Sequence, residues 1–344
     1  MTSKTSLYAA AAATMLSIPA MADARSLRAV GSSTVYPFAK MAAERVARAN
    51  PKLGTPIIES TGTGAGFKLF CAGVGERFPD VSNASRRMKA KEAQQCAANG
   101  VKDVTEIQIG LDGVAVATAR GTPIAGLTQR DLYLALAKTP FGKPNKAKTW
   151  KDVNAKLPAL PIRVYGPPST SGTRDALGEL ILTPPCEANS SMAALKKSDE
   201  AKFKAICTGI RTDGAYIEAG ENDNLIVQKL AANQGTLGVF GYSFLEENAS
   251  KVKGVAINGV QPTYATISSF KYPGARPLYI YVKNAHVRAI PAIRAFVAEI
   301  TKESAIGPKG YMLAGGLVAA PAPVRARAQQ AARTMSPLKF AELK

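Results

Sequence analysis

The sequence predicts an α/β protein built in layers, and three observations carry that reading. Short apolar runs alternate with amphipathic stretches of helical period along most of the chain. The 344 residues suffice for about two domains of ordinary size. Hydrophobic residues make up 46% and charged residues 20%, a balance that supports a packed core and excludes wholesale disorder.

In chain order, residues 27–30 predict a strand, Gly31-Ser32-Ser33-Thr34 a turn, and 36–49 a helix that tolerates Pro37 in its first turn. Ile57-Ile58 predicts the next strand. The glycine-rich run Thr61-Gly62-Thr63-Gly64-Ala65-Gly66 follows as a loop, then a helix through Leu69 and Phe70. Asp80-Val81-Ser82 leads into a polar turn, and 89–98 has helical character until Asn99-Gly100 stops it. The apolar run 107–117 suits a central strand. In the second half, 127–137, 171–181, 222–232 and 286–302 predict helices, and 162–165, 237–242 and 277–282 predict strands. The Ala/Arg/Pro-rich stretch 319–333 predicts a surface helix or a mobile tail that carries part of the basic excess.

The amino end has the pattern of a secretory signal: Lys4, an apolar run over 7–18, and the small-x-small site Ala20-Met21-Ala22. Thr14, Ser17 and Pro19 break that run short of the roughly 20 residues needed to span a bilayer. The expectation is a signal peptide over 1–22, cleaved after Ala22, and an exported soluble chain. The first cysteine beyond the run is Cys71, which argues against a lipid anchor. In an oxidising compartment the four cysteines, Cys71, Cys96, Cys186 and Cys207, suggest disulfides. Three pairings are open. Joining sequence neighbours closes the shortest loops and favours Cys71–Cys96 with Cys186–Cys207.

Composition narrows the chemistry. The net charge of +19 makes an anionic partner plausible. With one histidine, His286, no multi-histidine zinc site can be built, and any Ser-His-Asp triad must pass through that residue. There is no GxxxxGK[ST], no GxSxG, and the GxGxGF at Gly62 departs from a dinucleotide fingerprint. Nucleic acid is disfavoured because the only tryptophan is Trp150 and the motifs hold no basic-aromatic platform.

Three segments instead share one design, a strand end, small hydroxyl and glycine residues, then a helix start. They are Gly31-Ser32-Ser33-Thr34-Val35, Gly62-Thr63-Gly64-Ala65-Gly66 and Ser169-Thr170-Ser171-Gly172-Thr173-Arg174. Each can offer backbone N–H groups, a hydroxyl and the positive end of a helix dipole to an anion. One such loop is only a helix cap; three in one chain can enclose an oxyanion. Ser82-Asn83-Ala84-Ser85-Arg86-Arg87 adds charge, with Arg86 and Arg174 as candidates for a bidentate anion contact.

At these segments the chain resembles the periplasmic phosphate-binding proteins of bacterial phosphate ABC transporters. The motifs are GSSTVYPFA from Gly31, STGTGAGFKLFCAG from Ser60, DVSNASRRMK from Asp80 and YGPPSTSGTRDAL from Tyr165. A run from Glu221 and RPLYIYV from Arg276 also match. The resemblance implies a type II, Venus-flytrap α/β fold of two lobes, with 107–117 and 278–282 as the hinge-crossing strands. Lobe I would comprise 23–113 and 278–344, and lobe II 114–277. It implies phosphate contacts from Ser33, Thr34, Val35, Thr63, Gly64, Ser85 and Arg86, with Ser171, Gly172 and Thr173 closing from the opposite lobe. It further implies a monomer without cofactor, metal or enzymatic activity, serving inner-membrane permease subunits from the periplasm.

Two departures bear on selectivity. Many members of that family place a cleft aspartate that accepts the proton of hydrogen phosphate; here the matching position is Ser85, and a nearby family acid is Asn83. Thr170 stands where relatives often carry Asp, and Arg174 where many carry an aromatic residue. Asp112 is either a replacement acceptor on the crossing strand or a hinge residue bonded to backbone. The competing readings are a binder of another tetrahedral oxyanion, sulfate or arsenate, and a periplasmic phosphatase with Ser33 or Thr34 as nucleophile.

Overall fold

The computed structural model describes residues 25–169, 171–220 and 223–343. The expected signal peptide, Thr170 and the expected helix start at Asn222 lie outside them. The strands are β1 (Arg28–Gly31), β2 (Ile57–Ser60), β3 (Val81–Ala84), β4 (Val104–Ala119), β5 (Gly126–Leu127), β6 (Val164–Gly166), β7 (Tyr216–Glu218), β8 (Leu237–Gly241), β9 (Val252–Gly254), β10 (Ala256–Ile257) and β11 (Ala275–Lys283). Eight of them run in the order β2-β1-β3-β11-β4-β8-β6-β7, β9 joins β4 from the side, and β10 pairs with β5 separately.

Two long strands join the halves. β4 pairs antiparallel with β11 from Val104 to Gly113, then with β8 from Val114 to Thr118. The apolar run expected over 107–117 is therefore extended to 16 residues. It is buried on both faces, because each half supplies its own covering helices. β11 shows the period-2 consequence directly. Leu278, Ile280 and Val282 enter a core with Phe38, Val46, Phe296 and Val297, whereas Tyr281 enters the opposite core with Phe67, Phe70 and Met88. The second half has its own core around Val116, Leu136, Trp150, Leu230 and Phe240.

The helix Tyr36–Ala49 starts and stops as expected, with Pro37 early and its buried stripe Phe38, Ala39, Ala42, Ala43 and Val46 at helical spacing. The glycine-rich run differs from expectation: the helix starts at Thr63, not after Gly66, capped by Gly62 at φ +79. Glycine is needed inside that helix. A Cβ on Gly66 would stand 2.5 Å from the Cα of Gly31, so its absence lets the helix lie directly on β1. The helix expected over 171–181 divides into Gly172–Ala176 and a wider turn, Leu177–Leu182.

His286 is another correction. It lies in the turn Asn284–His286, and the following helix begins only after Pro291, at Ala292–Thr301. Its Nε2 accepts from the Gly75 N–H at 2.9 Å, so Nδ1 donates to Asp80 at 2.6 Å. Asp80 also takes two bonds from Arg25 and one from the Arg28 N–H. Burial alone would raise its carboxyl, but these partners hold it below the usual range. The stretch expected as a helix or a tail is the helix Ala322–Thr334, which puts Ala328 into the first core and anchors Arg325 on Glu303.

The disulfides are Cys71–Cys96 and Cys186–Cys207, the sequence-neighbour pairing. Loops of this size correspond to about 3 kcal/mol of stabilisation each in the chain-entropy account.

Two outcomes follow. Alanine normally favours a helix interior over glycine by about 1 kcal/mol. Gly66→Ala is expected instead to lower stability by about 1–3 kcal/mol in denaturant unfolding, because the methyl meets backbone. Lys283, fully buried and bonded to the Gly73 carbonyl, has its amine pushed down by burial from 10.5 to about 8. The unfolded chain thus binds the extra proton between about pH 8 and 10.5, so folding stability rises with pH across that window. The gain is up to roughly 3 kcal/mol, and Lys283→Met is expected to flatten that slope in pH-dependent melts.

Candidate functional site

Each loop is held by the strand it leaves. Gly31 ends β1 at φ +131, and any Cβ there would sit 2.1 Å from the Asn83 carbonyl oxygen. That close approach lets the Ser32 N–H donate to Asn83 at 2.9 Å and lets the Gly31 carbonyl accept from Thr61 and Gly62. Ser32 through Val35 then turns into the first helix, whose leading N–H groups have no intrahelical partners. Ser32 and Thr34 are nearly buried.

The loops of Thr63 and Ser85 are joined to each other. The Thr63 hydroxyl accepts from the Ser85 N–H at 3.1 Å and shares a hydrogen bond with its hydroxyl at 3.0 Å. Gly64 stands in the first turn beside Thr63, and a Cβ there would meet nothing within 4 Å. One residue before this loop's last strand position, Asn83 is 0% exposed, and neither amide atom has a partner among the described residues. A buried amide without partners costs several kcal/mol unless something else answers it.

The fourth segment comes from the other half. Ser171 caps its helix by accepting from the Thr173 N–H at 3.2 Å. Gly172 then lies against the first loop so closely that a Cβ would be 2.3 Å from the Thr34 Cα and 2.4 Å from its nitrogen. Thr34 donates its hydroxyl to the Gly172 carbonyl at 3.1 Å, and Ser33 donates to Asp175 at 2.6 Å. The expected residues Ser33, Thr34, Gly172 and their neighbours thus meet across the two halves, as do Thr63 and Ser85 within one.

The arginines are disposed differently. Arg86 is gripped by both oxygens of Glu92 at 2.9 and 2.7 Å and lies over the Phe67 ring. Arg87 pairs with Glu106. Arg174 reaches the Pro167 carbonyl at 3.3 Å and stacks 4.1 Å over Tyr216. Their guanidinium groups are therefore occupied beside or behind the loops.

Asp112 is only 6% exposed and is bonded at 3.1 Å to Arg276, which faces it across the β4–β11 ladder. Burial pushes its carboxyl up, against the opposing pull of Arg276. Arg276 was not visible as a site residue in the sequence, nor were Asp175 and Glu179. The signal for Arg276 was a charge opening a strand destined to be buried, Arg276-Pro277-Leu278-Tyr279. Chemically, the assembly offers hydroxyls and helix-start N–H groups suited to an oxyanion, beside the carboxylates of Asp112, Asp175 and Glu179, which are bonded to Arg276 and Ser33.

Gly172→Ala is expected to keep the loops of the two halves apart while each half stays folded. Small-angle scattering should register a larger radius of gyration, with little change in the melting temperature.

Known proteins match this chain along most of its length. The sequence model of the PBP superfamily domain matches residues 17–304. Protein SphX of Synechococcus elongatus is 34% identical over 82% of this chain and 77% of its own. The phosphate-binding protein PstS of Staphylococcus haemolyticus is 32% identical over 78% of this chain and 73% of its own. Among solved structures, a possible phosphate-binding protein from Planctomyces limnophilus superposes with a TM-score of 0.73 at 29% identity, covering 91% of this chain and 99% of that one.

Proposed function

This chain belongs to the PBP superfamily, in the group of the PstS and SphX proteins, and on that premise we propose that it binds inorganic phosphate between its two lobes and delivers it to an ABC transporter. The observation that carries the reading is the meeting of helix starts from both halves, with Gly172 seated on the backbone of Thr34. We place lobe I at 23–113 and 278–344 and lobe II at 114–277, a division supported by the partner change of β4 between Gly113 and Val114. The protein acts as a monomer in the periplasm after cleavage behind Ala22 and hands its ligand to permease subunits of the inner membrane. It is a binding protein and not an enzyme, like the relatives named for binding.

In this account the N–H groups of Thr34, Gly64 and Gly172 and the hydroxyls of Thr63, Ser85 and Ser171 share the anion's charge, while the Val35 and Thr173 N–H groups and the Ser33 hydroxyl, which donate to Ser32, Ser171 and Asp175, shape the loops. No single counter-ion is required. Charge-assisted bonds from neutral donors contribute roughly 1.5–3 kcal/mol each, and the helix dipoles point the same way. Arg86 and Arg174, whose guanidinium groups have protein partners, brace the loops. Asp112 stands by as an acceptor on the crossing strand. Asn83, a neutral amide whose two polar atoms have no partner among the described residues, is assigned in this reading as a donor and an acceptor for the anion. A carboxylate there would repel fully ionised sulfate; an amide does so less strongly, which favours a broader oxyanion range as the second reading.

Calorimetric titration of phosphate-stripped protein, alone and in excess sulfate, tests the assignment. Binding that sulfate leaves intact supports phosphate as the ligand; equal competition moves it to the broader class; no heat with either anion overturns it. Thr63→Val is expected to weaken phosphate binding by about tenfold or more. Asn83→Asp is expected to raise the preference for phosphate over sulfate by roughly tenfold at neutral pH.

A further inference from the structure

We propose that Arg276 is the positioning residue that holds the two lobes closed over the anion through Thr34, with Glu179 aiming its guanidinium from the rim. The proposal rests on the phosphate-binding reading for its ligand. It goes beyond that reading in assigning the latch to a residue outside all four loops.

Four groups from separate parts of the chain converge on this one guanidinium. Nε donates to Asp112 at 3.1 Å, Nη1 to Glu179 at 2.8 Å, and Nη2 to the Thr34 hydroxyl at 2.6 Å, with a longer contact to the Gly172 carbonyl at 3.5 Å. Asp112 belongs to the crossing strand β4 and stays beside Arg276 whatever the lobes do, because the two residues are cross-strand partners. Thr34 belongs to the first lobe. Glu179, Gly172 and, by the division above, Arg276 itself belong to the second. Opening the cleft must therefore break the Thr34 contact, while Glu179 moves with Arg276 and Asp112 holds it at the hinge, so that both keep the side chain aimed.

The burial differs between the two carboxylates. The side chains of Arg276 and Asp112 are 5% and 8% exposed, whereas that of Glu179 is 53% exposed. Asp112 holds Nε from a dry position at the hinge; Glu179 holds Nη1 from the rim, where water can replace it at small cost. The same bonds settle the role of Thr34. Its hydroxyl oxygen accepts from Arg276 and its proton goes to Gly172, so towards the anion Thr34 offers its N–H. A lysine cannot reproduce this arrangement, since a single ammonium lacks the planar fork that serves three directions at once.

The test follows release and closure separately. Protein loaded with radiolabelled phosphate is chased with unlabelled phosphate, and association is followed by rapid mixing. Glu179→Gln, a rim change that leaves the core intact, is expected to speed release about three- to tenfold with association changed less than twofold. Arg276→Lys is expected to speed release further, and scattering without phosphate should show a larger radius of gyration for both variants. Wild-type release rates together with an unchanged radius in both variants would overturn the latch. A side chain of merely structural importance would lower the melting temperature of Arg276→Lys and leave release from Glu179→Gln untouched, which also overturns it. If the wild-type protein binds no phosphate, the ligand reading fails, and the radius of gyration alone decides the latch.

Discussion

A guanidinium removed from water must have its N–H groups answered, and at 4% exposure Arg276 meets that demand only where Asp112, Thr34, Gly172 and Glu179 come together. That condition ties a hinge strand, a loop of the first half and a helix of the second half to one geometry. The loops in turn are pinned by what lies beneath them. Gly31 permits the Asn83 carbonyl to reach Ser32, and Gly66 permits the second helix to rest on β1, so the first two helix starts share a single footing.

Covalent and ionic ties stand outside the cleft and stiffen its frame. Cys71–Cys96 joins the end of the helix Thr63–Phe70 to the helix Ala90–Ala98, the two helices that bracket the loop of Ser85 and Arg86. Glu92 serves both, accepting from the Lys89 N–H as a helix cap and from Arg86 as an ion pair. The arginine expected to meet the anion is thus tied to the helix that follows its own loop. In the second half Cys186–Cys207 holds the helix pair below Leu177–Leu182, which carries Glu179.

Much of this was legible in local sequence. The helix Tyr36–Ala49 announces itself by Pro37 and an apolar stripe, the crossing strand β4 by an unbroken apolar run, and the loops that meet between the halves by small hydroxyl residues before helix starts. Errors arose where one residue type supports two structures. Glycines at 62, 64 and 66 read as a loop, yet Gly66 is in a helix because backbone must pass close there. Arginine-rich 319–333 read equally as tail or helix, and the burial of Ala328 decides for the helix. What could not be read were partners distant in the chain: Arg276 with Thr34, Ser33 with Asp175, His286 with Asp80. No spacing rule joins residues separated by 242, 142 or 206 positions, since only the folded sheet brings them together.

The claim on which the account depends is that these loops converge on one oxyanion. A crystal structure of the protein soaked with arsenate, with the anomalous signal of arsenic used to locate the anion, tests it most directly. The account predicts one dominant peak within hydrogen-bond distance of the Thr34, Gly64 and Gly172 N–H groups. A dominant peak elsewhere, such as on the exposed Lys143, Lys146 and Lys148, would contradict it.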